Sequence, residues 1–223
     1  MMIGILGGLG PVASCRFYDI LNSMCCAQCD QDYPDVMIYS KASVPDRTAY
    51  LLGQSEESPL PAMIAGLQAL ERAGAGVLAV PCATAHHFYD ALQAAVNTPV
   101  LNMLALTANA LASEGVTRVG LLCTQGSYAS GAFASALERT GIAAVTPDEA
   151  QAARLMRMIY DIKLGSVSVH IEEFAKPLFE QDVQRIILGC TELSMFHGQD
   201  ERYVDPMQIL AQEILRLCKS QMY

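Results

Sequence analysis

Hydrophobic and polar positions alternate along this chain in two different ways. Short apolar runs rich in β-branched residues are followed by longer segments whose apolar residues recur at helical spacing. This pattern is typical of parallel strands joined by crossover helices, and it predicts an α/β protein. The predicted strands are 2–6, 36–40, 76–80, 100–102, 118–122, 143–145 and 185–188. The predicted helices are 11–27, 60–73, 85–95, 105–113, 128–139, 149–163, 167–180 and 207–219.

The sequence also resembles itself. The strand at 3–6 and the following Gly10 return at 119–122 and Gly126, an offset of 116 residues. The run that ends in Cys82 returns as the run that ends in Cys190, an offset of 108 residues. Two matches at similar offsets indicate a duplicated α/β unit. We therefore expect two similar lobes with equivalent sites facing each other. The predicted lobes are residues 1–100 plus 206–223, and residues 101–205.

Composition and charge narrow the possible functions. The 223 residues are 52% hydrophobic, which is enough for one domain or two small ones. A net charge of −9 has the wrong sign for binding nucleic acid or an anionic membrane surface. No stretch has the length of a membrane helix, and the glycine-broken start lacks the basic region of a secretory signal. Eight cysteines without a regular spacing favour reduced thiols, so we expect a cytoplasmic enzyme.

A glycine-rich turn follows the first strand. Residues 8–13 fit the G-x-G-x-x-A pattern of dinucleotide-binding folds, but no acidic residue closes the second strand to hold a ribose. The other interpretation is a tight strand-to-helix turn whose free N–H groups bind a small anion such as a carboxylate. On this interpretation Gly8 and Gly10 lie beside the ligand.

The repeated cysteines are candidate catalytic groups. Cys82 and Cys190 each follow a buried strand and precede polar residues that can start a helix. Ligands of open α/β sheets bind at this end of the strands, and a helix N-terminus lowers a thiol pKa. Both sulfurs are therefore expected to be partly thiolate and to form an acid/base pair. The alternative is a small buried hydrophobe, which is what we expect for Cys123, Cys15 and Cys218.

Four motifs resemble the aspartate/glutamate racemase family of cofactor-independent enzymes, in particular its aspartate racemase branch. They are Gly4-Ile5-Leu6-Gly7-Gly8-Leu9-Gly10-Pro11, Pro45-Asp46-Arg47-Thr48, Pro81-Cys82-Ala83-Thr84-Ala85-His86 and Gly189-Cys190-Thr191-Glu192. The resemblance covers nearly the whole chain. It implies two flavodoxin-like, parallel-sheet lobes related by a pseudo-two-fold axis, with the active site between them. It also implies a homodimer and a small amino acid as the substrate.

The implied chemistry agrees with the interpretation of the thiols. Inverting an amino acid at Cα needs a base on one face and an acid on the other, and Cys82 and Cys190 meet this need when one is deprotonated. The carbanion must be stabilised by fixed donors in low-dielectric surroundings. Pyridoxal would require a Schiff-base lysine, but none of the four lysines lies in a recognisable pyridoxal motif. We expect no cofactor.

The few positively charged residues of the chain indicate which side chain the substrate has. In proteins similar to this one, the Arg of the Pro-Asp-Arg-Thr loop and a Lys ahead of a Gly in the second lobe hold the side-chain carboxylate of aspartate. Arg47 and Lys163 fill these positions. The alternatives are an ion pair of Arg47 with Asp46 or another surface acid, and a helix C-terminal charge for Lys163. The family usually has Asn at the position of Ala83, so either a water replaces that side chain or the substrate preference has changed.

The remaining candidate site residues are expected either to bind the substrate or to adjust the thiols. Glu192 could orient or deprotonate Cys190, or only compensate a helix dipole. His86 could tune Cys82, or be a satisfied histidine between the lobes. Each candidate hydroxyl donor to the α-carboxylate or amino group could also be only a helix N-cap. These hydroxyls belong to Thr84, Thr124, Ser127 and Thr191.

A cysteine cluster and two other functions complete the alternatives. Cys25, Cys26 and Cys29 could suggest zinc, but no second ligand pair exists and their spacing also suits helix packing, so we expect no metal. An isomerase or decarboxylase acting on maleate, hydantoins or malonates is a second possible enzyme, although two cysteines favour two-sided proton transfer. A catalytically silent protein that binds acidic metabolites is the third hypothesis, motivated by Ala83.

Overall fold

The structure is a computed structural model that describes residues 1–165, 170–196 and 200–220. It contains two parallel β-sheets with helices, which confirms the predicted α/β class. The first sheet has the order β2-β1-β3 and the second has the order β5-β4-β6-β7. The strands are β1 (Ile3–Gly7), β2 (Val36–Ser40), β3 (Val77–Ala79), β4 (Arg118–Leu122), β5 (Ala143–Val145), β6 (Arg185–Leu188) and β7 (Tyr203–Val204).

Helices connect the strands. They are α1 (Pro11–Ser23), α2 (Arg47–Leu51), α3 (Leu60–Arg72), α4 (Tyr89–Ala94), α5 (Met103–Ser113), α6 (Gln125–Ser130), α7 (Ala132–Glu138), α8 (Glu149–Lys163), α9 (Glu172–Phe179) and α10 (Pro206–Ser220). Short 3₁₀ helices cover Asp30–Asp32, Ala83–Phe88 and Thr191–Phe196. α8 illustrates the sequence logic. The carboxylate of Asp148 caps its start, and Leu155, Ile159 and Ile162 form its buried stripe. None of the described helices combines the length and hydrophobicity needed to cross a bilayer.

The internal duplication is visible in the packing of the two central strands. A Cβ on Gly4 of β1 would lie 2.8 Å from Leu78 and 3.2 Å from Leu70. A Cβ on Gly120 of β4 would lie 2.4 Å from Ile186 and 3.0 Å from Leu178. These partners occupy equivalent positions, because 186 − 78 and 178 − 70 both equal 108. The shared strand order and this matched contact confirm the prediction of two similar α/β lobes.

Helices α5 and α10 join the two predicted lobes. α5 and α10 pack against each other, while α10 also contacts α1 and α5 also contacts α7. Buried residues of both sheets and of α10, such as Ile5, Leu121 and Leu210, belong to one apolar cluster. The division into residues 1–100 plus 206–223 and residues 101–205 stays a prediction, with which these helix contacts agree.

Several predicted elements differ from the structure. The strand at 100–102 is wrong: Val100 forms a single bridge to Leu78, because Asn102 already caps α5 through the N–H of Ala105. β7 was not predicted, since two residues are too few to give a pattern. The helix predicted at 128–139 is divided at Gly131, whose φ of 63° is left-handed. The helix predicted at 85–95 begins as a 3₁₀ turn.

Two further helices are shorter than predicted. The first helix ends at Ser23, and residues 24–27 are not helical. The helix predicted at 167–180 begins at Glu172 in the described part of the chain, and residues 167–169 of that prediction lie outside the described residues.

Candidate active site

The two repeated cysteines lie beyond the carboxyl ends of strands in different sheets. Cys82 follows β3 and Cys190 follows β6, and a 3₁₀ helix starts directly after each. Both side chains line the same cleft, with exposed fractions of 8% and 5%. The structure therefore brings together the two sulfurs that the sequence repeat singled out.

Most of the other predicted site residues line this cleft as well. Its walls include the predicted residues Arg47, Thr84, Thr124, Lys163, Thr191 and Glu192, and they are completed by Leu9, Asp46, Thr48, Ala83 and Gly189. Gly8 and Gly10 line an adjoining pocket that shares Arg47, Lys163 and Glu192 with the cleft. Ser127 lines neither pocket and lies behind Thr84, to which it is hydrogen bonded.

Cys190 has a carboxylate beside it. Its Sγ donates to Glu192 Oε2 at 3.0 Å, and the other oxygen, Oε1, lies 3.5 Å from Lys163 Nζ. Burial raises the pKa of the Cys190 thiol well above its usual value, and Glu192 raises it further, whereas Lys163 opposes this change. The expectation that both sulfurs are partly thiolate is therefore wrong for Cys190. Burial and a neighbouring anion outweigh its position before a short helix.

Lys163 stays charged although it is largely enclosed. Burial lowers its pKa, but Glu192, Cys190 and Cys82 raise it, and the net pKa lies above the usual lysine value. Its side chain is 27% exposed. Lys163 is the last residue of α8, as the helix-terminus alternative held, and its charge also faces the cleft and Glu192.

Arg47 is a buried cation with backbone partners. Its guanidinium donates to the carbonyls of Val44 and Pro45 at 3.3 and 3.0 Å, and also to the carbonyl of Leu9. The Nε atom is buried without a hydrogen-bond partner. The alternative of an ion pair with Asp46 is wrong, because that carboxylate caps α2 through the N–H groups of Thr48 and Ala49. Within the described ranges no acidic group forms an ion pair with Arg47, so its charge is available to an anionic ligand.

Three buried hydroxyls join the two halves of the chain. Thr84 Oγ1 lies 3.0 Å from Thr124 Oγ1 and 2.9 Å from Ser127 Oγ, and these last two are 3.0 Å apart. Thr124 also caps α6, as the N-cap alternative proposed. Thr191 is buried and makes a long contact of 3.5 Å to Glu192 Oε2. Thr84 and Thr124 face the cleft while also holding the lobes together.

The glycine-rich turn is shaped by close contacts. Gly8 has a φ of 85°, and a Cβ there would lie 2.4 Å from the backbone of Lys41. A Cβ on Gly10 would lie 2.4 Å from Glu192 Oε1, so this glycine makes room for that carboxylate. Glycine is therefore needed at position 8 for the backbone conformation, and at position 10 to leave room for the Glu192 side chain.

The hydrogen bonds of the His86 ring in the described part of the chain go to backbone groups and not to a sulfur. Burial lowers its pKa, so the ring is neutral. Its Nδ1–H donates to the carbonyl of Cys82 at 2.9 Å, and Nε2 accepts the N–H of Met103 at 3.1 Å. The second sequence interpretation, a satisfied histidine between the lobes, describes this arrangement.

The other cysteines lie outside the cleft. Cys123 is a buried core residue, but Cys15 is exposed, so the prediction that it is a buried hydrophobe is wrong. Cys218 is half-buried. The helical packing suggested for Cys25, Cys26 and Cys29 is also wrong, because α1 ends before them. Among the described residues no three His, Cys, Asp or Glu side chains are grouped in a way that could hold a metal ion.

Sequence reasoning did not single out Thr48 in the cleft wall or Tyr160 beside it. Thr48 is buried in the cleft wall, and its position next to Arg47 in the quoted motif could have indicated this. Tyr160 lies one helical turn before Lys163, and its hydroxyl donates to Asp46 Oδ2 at 3.3 Å. That hydrogen bond links α8 to the start of α2, where Arg47 lies. Its signal in the sequence is the i, i+3 spacing from Lys163.

The arrangement of groups suits proton transfer on an anionic ligand. One cleft contains two sulfurs from different sheets, two cations, a carboxylate and several hydroxyls. The raised pKa of Cys190 keeps its thiol protonated at neutral pH, so this side chain has a proton to donate. A ligand with a carboxylate can find Arg47 and Lys163 within the same walls.

Comparisons with known proteins point to one family. Residues 6–214 match the family described as Asp/Glu/hydantoin racemase. The chain is 31% identical to the broad specificity amino-acid racemase of Bacillus subtilis over 90% of each chain. It is similar in structure to the aspartate racemase of Picrophilus torridus, with 29% identity, a TM-score of 0.84 and coverage of 96% of this chain and 93% of that one.

Two further solved structures have the same fold. An aspartate racemase homologue from Pyrococcus horikoshii is 25% identical, with a TM-score of 0.79 and coverage of 98% of this chain and 99% of that one. The glutamate racemase of Francisella tularensis, solved with D-glutamate, has a TM-score of 0.70 at 18% identity and covers 99% and 81% of the two chains. These likenesses confirm the resemblance noted in the sequence motifs and the two-lobed architecture.

Proposed function

Because this chain belongs to the Asp/Glu/hydantoin racemase family, we propose that it inverts aspartate at Cα with Cys82 and Cys190 as its acid/base pair. Its membership makes it a racemase that needs no cofactor and acts on a small amino acid. The aspartate preference and the roles of the residues are the proposal. The observation that carries it is one cleft containing both sulfurs together with Arg47 and Lys163.

The proton moves between two sulfurs. Cys82, as thiolate, removes the Cα proton from one face of the substrate, and the Cys190 thiol delivers its proton to the other face. After one inversion Cys82 is the thiol and Cys190 is the thiolate, which is the arrangement needed for the reverse reaction. The hydrogen bond of Cys190 to Glu192 and its raised pKa support its role as the first donor.

Two cations hold the substrate. Arg47 supplies a planar guanidinium fixed by three backbone carbonyls, and Lys163 supplies a point charge from the end of α8. Together they suit the side-chain carboxylate of a dicarboxylic amino acid. N–H groups of the glycine-rich turn and the hydroxyls of Thr84, Thr124 and Thr191 are proposed to receive the α-carboxylate.

Deuterium exchange tests the catalytic assignment. Incubating L- or D-aspartate with the protein in D2O should place deuterium at Cα and form the other enantiomer, as followed by proton NMR and chiral chromatography. Cys82→Ser and Cys190→Ser together should abolish both signals. Full exchange and interconversion in this double variant would reject the thiol assignment.

The range of substrates is a separate question. Ala83 removes an amide side chain from the wall of the cleft, and the Bacillus subtilis relative is named a broad specificity amino-acid racemase. We propose aspartate as the preferred substrate, with glutamate next. Exchange measured across the amino acids in D2O would test this order, and faster exchange of an apolar amino acid than of aspartate would overturn it.

Two other expectations stay predictions. A homodimer was expected from the family resemblance, and the edge strand β2 exposes Met37, Ile38 and Tyr39 on the surface. A cytoplasmic location was expected from the reduced cysteines and the start of the chain. Light scattering of the purified protein would test the first expectation, and fractionation of its host would test the second.

A further inference from the structure

One buried group in the cleft has an atom without a hydrogen bond. The side chain of Glu192 is 4% exposed, and its Oε1 is buried and accepts no hydrogen bond from any described residue. Lys163 Nζ lies 3.5 Å away, so the two form a charge pair without the geometry of a hydrogen bond. A buried carboxylate oxygen in this condition is costly unless a ligand supplies a donor.

The structure holds this oxygen in place. The other oxygen of the same carboxylate, Oε2, accepts a hydrogen bond from Cys190 Sγ at 3.0 Å. Gly10 leaves space for Oε1, because a Cβ at this position would approach that oxygen to 2.4 Å. The carboxylate therefore lines the cleft with one oxygen on the catalytic thiol and the other oxygen free to accept a hydrogen bond.

Among the groups of an amino acid, only one suits this oxygen. The carboxylates would be repelled by Glu192 and are matched by Arg47 and Lys163. The Cα proton belongs to the sulfurs in the proposed reaction. The α-ammonium group is a cation with three donors, and it is bonded directly to the carbon that Cys190 must reach. A charge-assisted hydrogen bond to Glu192 would satisfy both groups.

We propose that Glu192 binds the α-ammonium group of the substrate through Oε1 while Oε2 holds the Cys190 thiol. This inference rests on the proposed function, because it takes an amino acid as the ligand of the cleft. It makes Glu192 the residue that distinguishes an amino acid from a dicarboxylic acid lacking the amine. Aspartate and succinate differ only by that amine, so they are the natural probes.

The test is equilibrium binding measured by calorimetry. Racemic aspartate is used, because an active racemase cannot change its composition, and succinate is the ligand without the amine. The wild-type protein should bind aspartate more tightly than succinate. In Glu192→Gln the dissociation constant of aspartate should rise by about 10- to 100-fold. That of succinate should change by less than about threefold or fall, since a repelling charge is removed.

A matched control removes a carboxylate elsewhere. Glu173→Gln changes the same side chain on α9, where it is exposed and paired with Arg154. This variant should leave both dissociation constants unchanged. If both constants rise equally in Glu192→Gln, the carboxylate only supports the cleft and the ammonium contact is refuted.

The wild-type protein alone gives a second measurement, which does not depend on a variant that folds. Equal affinity for aspartate and succinate would overturn the contact even if deuterium exchange proceeds. Preferred binding of aspartate without any exchange would instead reject the catalytic role of the thiols and keep the ammonium contact. Failure to bind aspartate at all would overturn both proposals.

Discussion

The two strand-to-cysteine junctions of this chain have the same backbone plan and different surroundings. Cys82 is followed by Ala83-Thr84, and Cys190 is followed by Thr191-Glu192. The residue two positions after the first cysteine is Thr84, whose hydroxyl is hydrogen bonded to Thr124 and Ser127 of the other lobe. The equivalent residue after the second cysteine is Glu192, whose carboxylate contacts Cys190 and Lys163.

This difference shows how a duplicated unit can divide its tasks. The first junction has neutral hydrogen bonds that tie one lobe to the other, and the second has charged groups beside its thiol. A reaction that is symmetric about Cα needs equivalent sulfurs, but each sulfur needs its own starting protonation state. Different neighbours can supply this while the strand order of the two lobes stays the same.

The largest effects are expected when either of the two sulfurs is replaced. Cys82→Ser and Cys190→Ser should each lower the rate of aspartate racemisation by about 10²- to 10⁴-fold, because a serine hydroxyl cannot replace a thiol in proton transfer near neutral pH. Chiral chromatography of the reaction gives the rates. The exposed Cys15 provides the control, and Cys15→Ser should leave the rate unchanged. A strong loss in one variant and full activity in the other would contradict the shared role.

The pH dependence of the activity should reflect the carboxylate that only the second junction has. The pKa of Cys190 is raised by burial and by Glu192, so the thiol keeps its proton as the pH rises through the usual range of a cysteine. Activity should therefore persist into alkaline solution and fall once Cys190 loses its proton. In Glu192→Gln this fall should move to lower pH, because one of the two causes of the raised pKa is gone.

The pH–rate profile of kcat/KM measures this shift, and Glu173→Gln again serves as the control. The groups near Cys190 that also carry or can acquire charge are Lys163, Cys82 and Tyr128. They are unchanged in both variants. An alkaline limb that stays in place in Glu192→Gln would contradict the assignment of this limb to Cys190.

Sequence patterns predicted the sheets, the repeat and the shared cleft of the sulfurs. These features follow from short-range regularities, namely apolar runs that make strands and glycine that allows close packing, as at Gly4 and Gly120. The protonation state of Cys190 could not be read in the same way. It depends on burial by distant segments and on the carboxylate of Glu192, for which Gly10, 182 residues earlier in the chain, leaves room.

Interactions across the lobes were missed for the same reason. The hydrogen bond between Tyr160 and Asp46 joins two residues far apart in sequence, and so does the contact between Gly126 and Thr48. Neither has a local pattern. The repeat did point to Gly126 as the partner of Gly10, but not to what each glycine faces.

That pair of glycines gives a test of intermediate size. Gly126→Ala would bring a Cβ to 2.7 Å from the Cα of Thr48, a backbone atom of the other lobe that cannot move aside. Replacing glycine by alanine in a helix is normally stabilising, yet this change should lower the free energy of unfolding by about 1–3 kcal/mol. Urea unfolding followed by circular dichroism gives the value. A stabilised variant would contradict the close packing of the lobes here.

Gly10→Ala tests the equivalent position. There the nearest atom is the tip of the Glu192 side chain, which can rotate away. Stability should change little, while racemisation should slow because the carboxylate leaves its place beside Cys190. The two alanine variants thus exchange their effects: one mainly affects folding and the other mainly affects activity. Equal losses of stability in both would remove this distinction.

The smallest effect is expected at the hydroxyl cluster of the first junction. Thr84→Val keeps the shape of the side chain and removes its hydrogen bonds, but Thr124 and Ser127 remain bonded to each other at 3.0 Å. The free energy of unfolding should therefore fall by only about 1 kcal/mol. Combining Thr84→Val with Ser127→Ala should cost less than the sum of the single changes, because both remove the same contact between lobes. Strictly additive losses in urea unfolding would show that the hydroxyls act independently, and the first junction would then lose its role as a tie between the lobes.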